Sequence, residues 1–286
     1  MAERIGILGA TSPVGSGLCA ALAGGNSTVV AHSRRPPAEA TAGIEWRQLG
    51  TASSGADAPI TDWICVAPIW VLPEHFALLE ASGARRVVAL SSTSLFVKGD
   101  SSDAAEQAIA SQLAAGEQAL QDWAQARGIE WVVLRPTLIY GLGRDKNICE
   151  IARFVRRFGF FPVFGAALGR RQPIHSADVA NACLLALRSP RARNRGYNIS
   201  GGETLSYREM VRRVFAAEGR TPRLVTVPLA AFRLAVALLR RLPRFRLWSV
   251  AMAERMNRDL VFDPADAIRD FGFSARPFGL SAQDLP

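Results

Sequence analysis

The sequence predicts an α/β fold, a doubly wound parallel sheet with a small C-terminal lobe. Short apolar runs of strand length alternate with helical patterns through the first half of the chain, a glycine-bearing turn follows the first run, and the alternation stops after Pro136.

Ile5 to Leu8, Thr28 to Ala31, Trp63 to Ala67, Arg86 to Leu90 and Trp131 to Leu134 read as five buried parallel strands, each apolar throughout and too short for a helix. Helices are expected at 15–23, 73–82 and 104–127. Beyond Pro136, the loops LIYGLGRDKN and FGFFPVFGAALG separate short helices, Ser176 to Arg188 forms a helix that returns to the sheet, and Tyr197-Asn198-Ile199 forms a late strand. This divides the chain into a Rossmann-type core, 1–136 and 174–195, and a smaller lobe that covers its crevice, 137–173 and 196–286.

A chain of 286 residues that is 49% hydrophobic can bury a large core, which excludes disorder. The net charge of +9 is carried almost wholly by arginine, because Lys98 and Lys146 are the only lysines. That allows an anionic partner, but an arginine-rich composition without functional meaning is the preferred reading. Cys19, Cys65, Cys149 and Cys183 are scattered, with no CxxC and no histidine at ligand spacing, so neither a zinc site nor a disulfide framework is read. A reduced, cytoplasmic setting is expected. No signal-peptide pattern precedes the first strand, and arginines break the longest apolar stretches short of a membrane span.

The first strand runs into Gly9-Ala-Thr-Ser-Pro-Val-Gly15 and then a helix. Glycines at such a turn let the backbone approach a pyrophosphate that the helix N-terminus faces. Gly9 and Gly15 hold two places of a GxxGxxG loop and Ser12 holds the middle one, where it can cap the helix with Pro13 at its first position. The second strand ends in His32-Ser33-Arg34-Arg35 with no acid to accept from a ribose hydroxyl. Ser33 and Arg34 could hold a 2′-phosphate, so NADP is preferred and NAD is the alternative. The expected cofactor contacts are Gly9, Thr11, Ser12, Pro13, Val14, Gly15, Ser33 and Arg34, with Ala67, Ser91 and Pro136 at other strand ends.

With GATSPVG, VVALSSTS, VVLRPTLIYGLG, PIHSADVANA and YNISGGETLSYREM in this order, and DLVFDPADAIRDFGFSARPF near the end, the chain resembles the NAD(P)-dependent epimerase/dehydratase family of extended and atypical short-chain dehydrogenases. The resemblance implies a lobe that holds substrate, often a sugar nucleotide. It also implies a catalytic trio: a Ser or Thr after a sheet strand, and a Tyr and a Lys four residues apart on the next helix, where Lys and cofactor lower the phenol's pKa. Thr93, flanked by Ser92 and Ser94, matches the first member. Ile109 and Leu113 stand at the other two places, Phe96 replaces a frequent Tyr, and the only tyrosines, Tyr140, Tyr197 and Tyr207, all lie beyond this helix.

Lys98, followed by Asp100, Asp103 and Glu106, is the nearest replacement for the absent acid/base, the bland alternative being a solvated loop lysine. The candidate catalytic set is therefore Thr93, Ser92 and Lys98. His175 fits a helix start better than a general base, with Ser176 and Asp178 beside it, and Tyr140 lines the site. Residues 228–248, PLAAFRLAVALLRRLPRFRLW, combine an apolar face with Arg233, Arg240 and Arg241 and read first as a core helix of the lobe; with IARFVRRFGFFPVFG they also allow peripheral membrane contact and a lipid-linked substrate, the alternative reading. A small-molecule substrate and no nucleic acid are expected, and pairing of two chains through the helix 104–127 is a family expectation. The sequence reads as an oxidoreductase or epimerase-like enzyme, against a nucleotide-binding sensor or assembly subunit without turnover.

Overall fold

The computed structural model describes residues 4–25, 27–37, 42–50, 58–101, 103–232 and 250–286. Strands β1 Arg4–Leu8, β2 Thr28–Ser33, β3 Ile44–Gln48, β4 Asp62–Cys65, β5 Arg86–Leu90 and β6 Glu130–Pro136 pair in parallel, in the order β3-β2-β1-β4-β5-β6. The chain leaves β1 for β2 on one side and later crosses to β4 on the other, so the carboxyl end of β1 lies at the switch point where such sheets bind ligands. β3 was not among the expected strands. It is half-exposed at the sheet's edge, with Ile44 and Trp46 packed on the core while Glu45 and Arg47 pair with each other, so its apolar signal is weak.

Helices cover both faces. On one side α1 Pro13–Leu22 and α6 Ser176–Arg188 pack together, and on the other lie α2 Phe76–Ala81 and α4 Ala104–Arg127. The expected helix 73–82 is a 3-10 turn, Ile69–His75, followed by α2; Pro73 inside the turn has no N–H to continue a regular ladder. Asp103 caps α4 by accepting from the Ala105 N–H, and Gly128 ends it in the left-handed conformation.

Beyond β6 the lobe is built from two-stranded pairs: β7 Ile139–Tyr140 with β10 Ile174–His175, β8 Phe161–Phe164 with β13 Leu224–Val227, and β9 Arg170–Arg171 with β12 Leu205–Ser206. Helices α5 Ile148–Phe158 and α7 Tyr207–Ala217 pack their apolar faces against each other there. The strand Tyr197 to Ile199, expected in the lobe, is instead part of β11 Arg195–Ile199, which pairs with β6 as the seventh strand of the main sheet. Tyr197 and Ile199 point into the main core, and the Tyr197 hydroxyl donates to Asp270 Oδ2 at 2.9 Å, which ties helix Ala265–Phe271 to the same edge. Residues 196–199 and this helix therefore sit on the sheet, where burial of alternate apolar positions places them. Arg233, Arg240 and Arg241 lie outside the described residues. Among those described, no helix is long and apolar enough to cross a membrane.

One core group is charge-sensitive. His32 of β2 is 3% exposed, lies 5.2 Å from the Trp63 ring, and has a buried Nε2 without a hydrogen-bond partner. Burial, reinforced by Arg47 beside it on β3, pushes its pKa down from 6.5 to about 4. The unfolded chain then binds a proton that the folded chain refuses, so stability is full above pH 6.5 and is lost as the pH falls toward 4, by roughly 3 kcal/mol in the limit. Urea unfolding of wild type and His32→Leu should diverge over that window, wild type losing more; a gap constant with pH would disprove it.

Candidate cofactor and substrate cleft

Gly9 has φ +83°, and a Cβ there would lie 2.7 Å from the Ala67 backbone nitrogen, so only glycine lets the loop pass the tip of β4. A Cβ at Gly15 would collide with the carbonyl oxygens of Gly9 and Ala10. Ser12 caps α1 as expected, its hydroxyl accepting from the Gly15 N–H at 3.1 Å, with Pro13 in the first turn. The serine in the middle glycine's place thus occupies one of the N–H donors that a phosphate would otherwise use.

In front of this loop opens a cleft of about 710 Å³. Ser12, Pro13 and Val14 form one end, Ser91, Ser92, Thr93 and Lys98 one wall, and Pro136 to Gly141 the floor, so eight of the expected site residues meet in one space. Gly9 and Gly15 shape the loop behind it. Thr11 is tied to the lobe instead, because its carbonyl accepts from Arg144 Nη2 at 2.8 Å. Ala67 backs Gly9. Ser33 and Arg34 do not border the cleft. The Ser33 hydroxyl donates to the Arg35 carbonyl and accepts from the Arg35 N–H, holding the turn, while Arg34 is exposed.

The hydroxyl row is not equivalent along its length. Thr93 Oγ1 donates to the Pro136 carbonyl at 3.1 Å, so its proton is committed and its lone pairs remain to accept. Ser92 Oγ accepts from the Ser94 N–H at 3.1 Å, which leaves its proton free to donate. Ser91 Oγ is buried on the cleft wall without a partner. An orphaned hydroxyl there, with the glycine-shaped loop opposite, fits a nicotinamide dinucleotide held by the loop, Ser91 and Pro136.

Lys98 ends the short helix α3 Leu95–Lys98, which packs on α4. Leu95 and Ile109 pack onto the core cluster that contains Leu113, so the face of α4 where a Tyr and a Lys would stand is apolar and covered. Burial lowers the Lys98 pKa, and Arg255 adds to the effect, against Asp103. Two more cations on the cleft wall were invisible in so arginine-rich a sequence. Arg171 is 5% exposed, donates to the Arg170 and Arg258 carbonyls, and burial pushes it down to about 10. Arg255 pairs with Glu106, and burial lowers its pKa as well. The one carboxylate in the lining, Asp145, is spent on the first turn of α5, accepting from the Asn147 and Ile148 N–H groups.

His175 confirms the helix-start reading in a changed role: the histidine itself is the cap. Its Nδ1 accepts from the Ala177 N–H at 3.1 Å, so Nε2 carries the proton toward Asp284 Oδ1 at 3.0 Å. Tyr140 lines the cleft as expected, and its hydroxyl oxygen accepts from the Gly279 N–H at 3.4 Å.

A family model, "NAD dependent epimerase/dehydratase family", matches residues 75–200. Over 162 residues, 57% of this chain, it is 26% identical to the uncharacterized protein y4nG of Sinorhizobium fredii, covering 40% of that protein. A UDP-glucose 4-epimerase of Vibrio cholerae is 25% identical over 41% of this chain and 36% of its own length. The mitochondrial NADH dehydrogenase [ubiquinone] 1 alpha subcomplex subunit 9 of Arabidopsis thaliana is 26% identical over 35% of the chain and 25% of its own length. These matches therefore span well under two thirds of the curated relatives. In fold the likeness runs much further. The UDP-glucuronic acid 4-epimerase of Bacillus cereus, solved with NAD, superposes with a TM-score of 0.72 over 99% of this chain and 95% of its own at 15% identity. MoeE5, solved with UDP-glucose and NAD, gives 0.68 over 96% and 94% at 20% identity. The chain is thus similar to the NAD dependent epimerase/dehydratase family over residues 75–200, and its Rossmann-type fold extends beyond that match on both sides.

Proposed function

We propose that this protein is a nicotinamide-dinucleotide-dependent oxidoreductase or epimerase-like enzyme with a non-standard acid/base, acting on a hydroxyl or ketone substrate that carries an anionic group, such as a sugar nucleotide or a lipid-linked sugar. The observation that carries it is the wall of the cleft on which Ser92, Thr93 and the cations Lys98, Arg171 and Arg255 converge, opposite a phosphate loop. Of these Arg171 is the most buried, and a cation held out of water has most to gain from an anionic partner. Bound dinucleotide would supply or accept a hydride. Ser92 would donate to the substrate oxygen, Lys98 as the neutral amine would take the hydroxyl proton and return it in the reverse direction, and Thr93, its own proton held by the Pro136 carbonyl, would accept from a neighbouring substrate hydroxyl.

NADP is the preferred cofactor in this reading, through Arg34, which is exposed beside the carboxyl end of β2. Titration by nicotinamide fluorescence should show NADPH binding more tightly than NADH, and Arg34→Ala should narrow the preference by roughly tenfold, the worth of one charge-assisted contact. Equal binding of both cofactors would remove the assignment to Arg34, and failure to bind either would remove the enzyme reading.

A second reading, a nucleotide-binding subunit without turnover, is favoured by the apolar cover over Ile109 and Leu113 and by the partial likeness to the Arabidopsis NADH dehydrogenase subunit. It expects cofactor binding with no hydride transfer to any UDP-sugar or ketone in a substrate screen.

A further inference from the structure

Helix α5 buries Ile148, Ile151, Ala152 and Val155 in the lobe and leaves Arg153, Arg156, Arg157 and Phe158 exposed. At its C-terminal end the chain turns at Gly159 and brings Phe160 back beside the helix, so that Phe154, Phe158 and Phe160 form a ring cluster with centroids 4.6 to 6.3 Å apart. Phe158 is 51% and Phe160 37% exposed, which is unusual for two neighbouring aromatic rings. Val225 of β13, 48% exposed, lies opposite Pro162 of β8 in the adjoining pair of strands.

The rim of this patch is basic. The Arg157 guanidinium sits over the Phe158 ring at 5.3 Å, and Arg223 lies at the edge, its carbonyl accepting from the Phe161 N–H. Arg156 is committed to Glu218, whereas Arg153, Arg157 and Arg223 have no carboxylate ion-pair partner among the described residues. Glu150, one turn earlier on α5, is the nearest acid on the same stripe.

We propose that this aromatic and arginine patch docks the lobe on an anionic lipid surface, with Phe158 and Phe160 entering the boundary between headgroups and acyl chains and the arginines on headgroup phosphates. Charge decides the occupant. A second copy of this chain would set the same arginines against each other across a two-fold axis, whereas an anionic bilayer satisfies rings and guanidinium groups together.

The test is co-sedimentation of the full chain with phosphatidylcholine vesicles and with vesicles containing phosphatidylglycerol. The protein is expected to pellet with the anionic vesicles only and to be released by raised salt. Phe158→Ser/Phe160→Ser should weaken binding by roughly tenfold or more through lost ring insertion, with thermal unfolding unchanged because both rings are already exposed. Arg153→Gln/Arg157→Gln should weaken it and flatten the salt dependence. Wild type and the Phe variant pelleting equally, or no pelleting with anionic vesicles, would overturn the proposal. So would a lipid-free wild-type dimer that the Phe variant converts to monomer, which would make the patch an interface between copies.

Discussion

Lys98→Met is expected to lower turnover by about 10²- to 10⁴-fold, the usual contribution of general acid/base catalysis, while NADPH affinity changes by no more than a few-fold. The lysine sits one turn beyond the hydroxyl row on the same cleft wall, and its surroundings favour the neutral amine: burial first, then Arg255. The sign follows directly. Because the pKa is lowered from the ordinary 10.5, the base form is populated at lower pH than in a solvated lysine, and the rate of substrate oxidation should climb with pH to a plateau reached below that value. Lys98→Arg separates charge from proton transfer, since guanidinium holds its proton throughout. If Lys98→Arg is as slow as Lys98→Met and the alkaline limb disappears in both, the lysine moves the proton. Recovery of activity by arginine would reduce it to a fixed charge, and full activity in both variants would leave the reaction without this group.

How much of this was legible beforehand depended on how each feature is encoded. Buried parallel strands are continuous apolar runs, so β1, β2, β4, β5 and β6 stood out, whereas β3 has two apolar residues on its core side and charges between them. β11 was seen as a strand but assigned to the wrong layer, because its partner β6 lies some sixty residues earlier and only the buried register shows the pairing. In the site, the loop glycines and SSTS were readable as local motifs. Which hydroxyl keeps a free proton was not, since that depends on the Pro136 carbonyl for Thr93 and on the Ser94 N–H for Ser92. Arg171 and Arg255 were hidden for a plainer reason: among so many arginines, only the fold shows which of them line the cleft.

Arg135→Leu is expected to cost about 3–5 kcal/mol, because it strands a buried carboxylate. Glu117 of α4 has a side chain only 6% exposed, and Arg135 of β6 grips it in a fork, Nε donating to Oε1 at 2.9 Å and Nη2 to Oε2 at 2.5 Å. The guanidinium also lies 5.4 Å from the centre of the Phe96 ring on α3. One charge pair therefore joins the strand end, the long helix and the short helix that carries Lys98. Replacing both partners, Arg135→Leu with Glu117→Leu, should restore most of the lost stability, since an apolar pair of similar volume needs no counter-ion. The two variants then part company in function: the double variant folds but loses the fork behind α3, so turnover should fall through Lys98 while cofactor binding persists. Equal stability of the single and double variants would show that Glu117 finds water or another donor, and an unimpaired double variant would show that α3 is positioned by its packing on α4 alone.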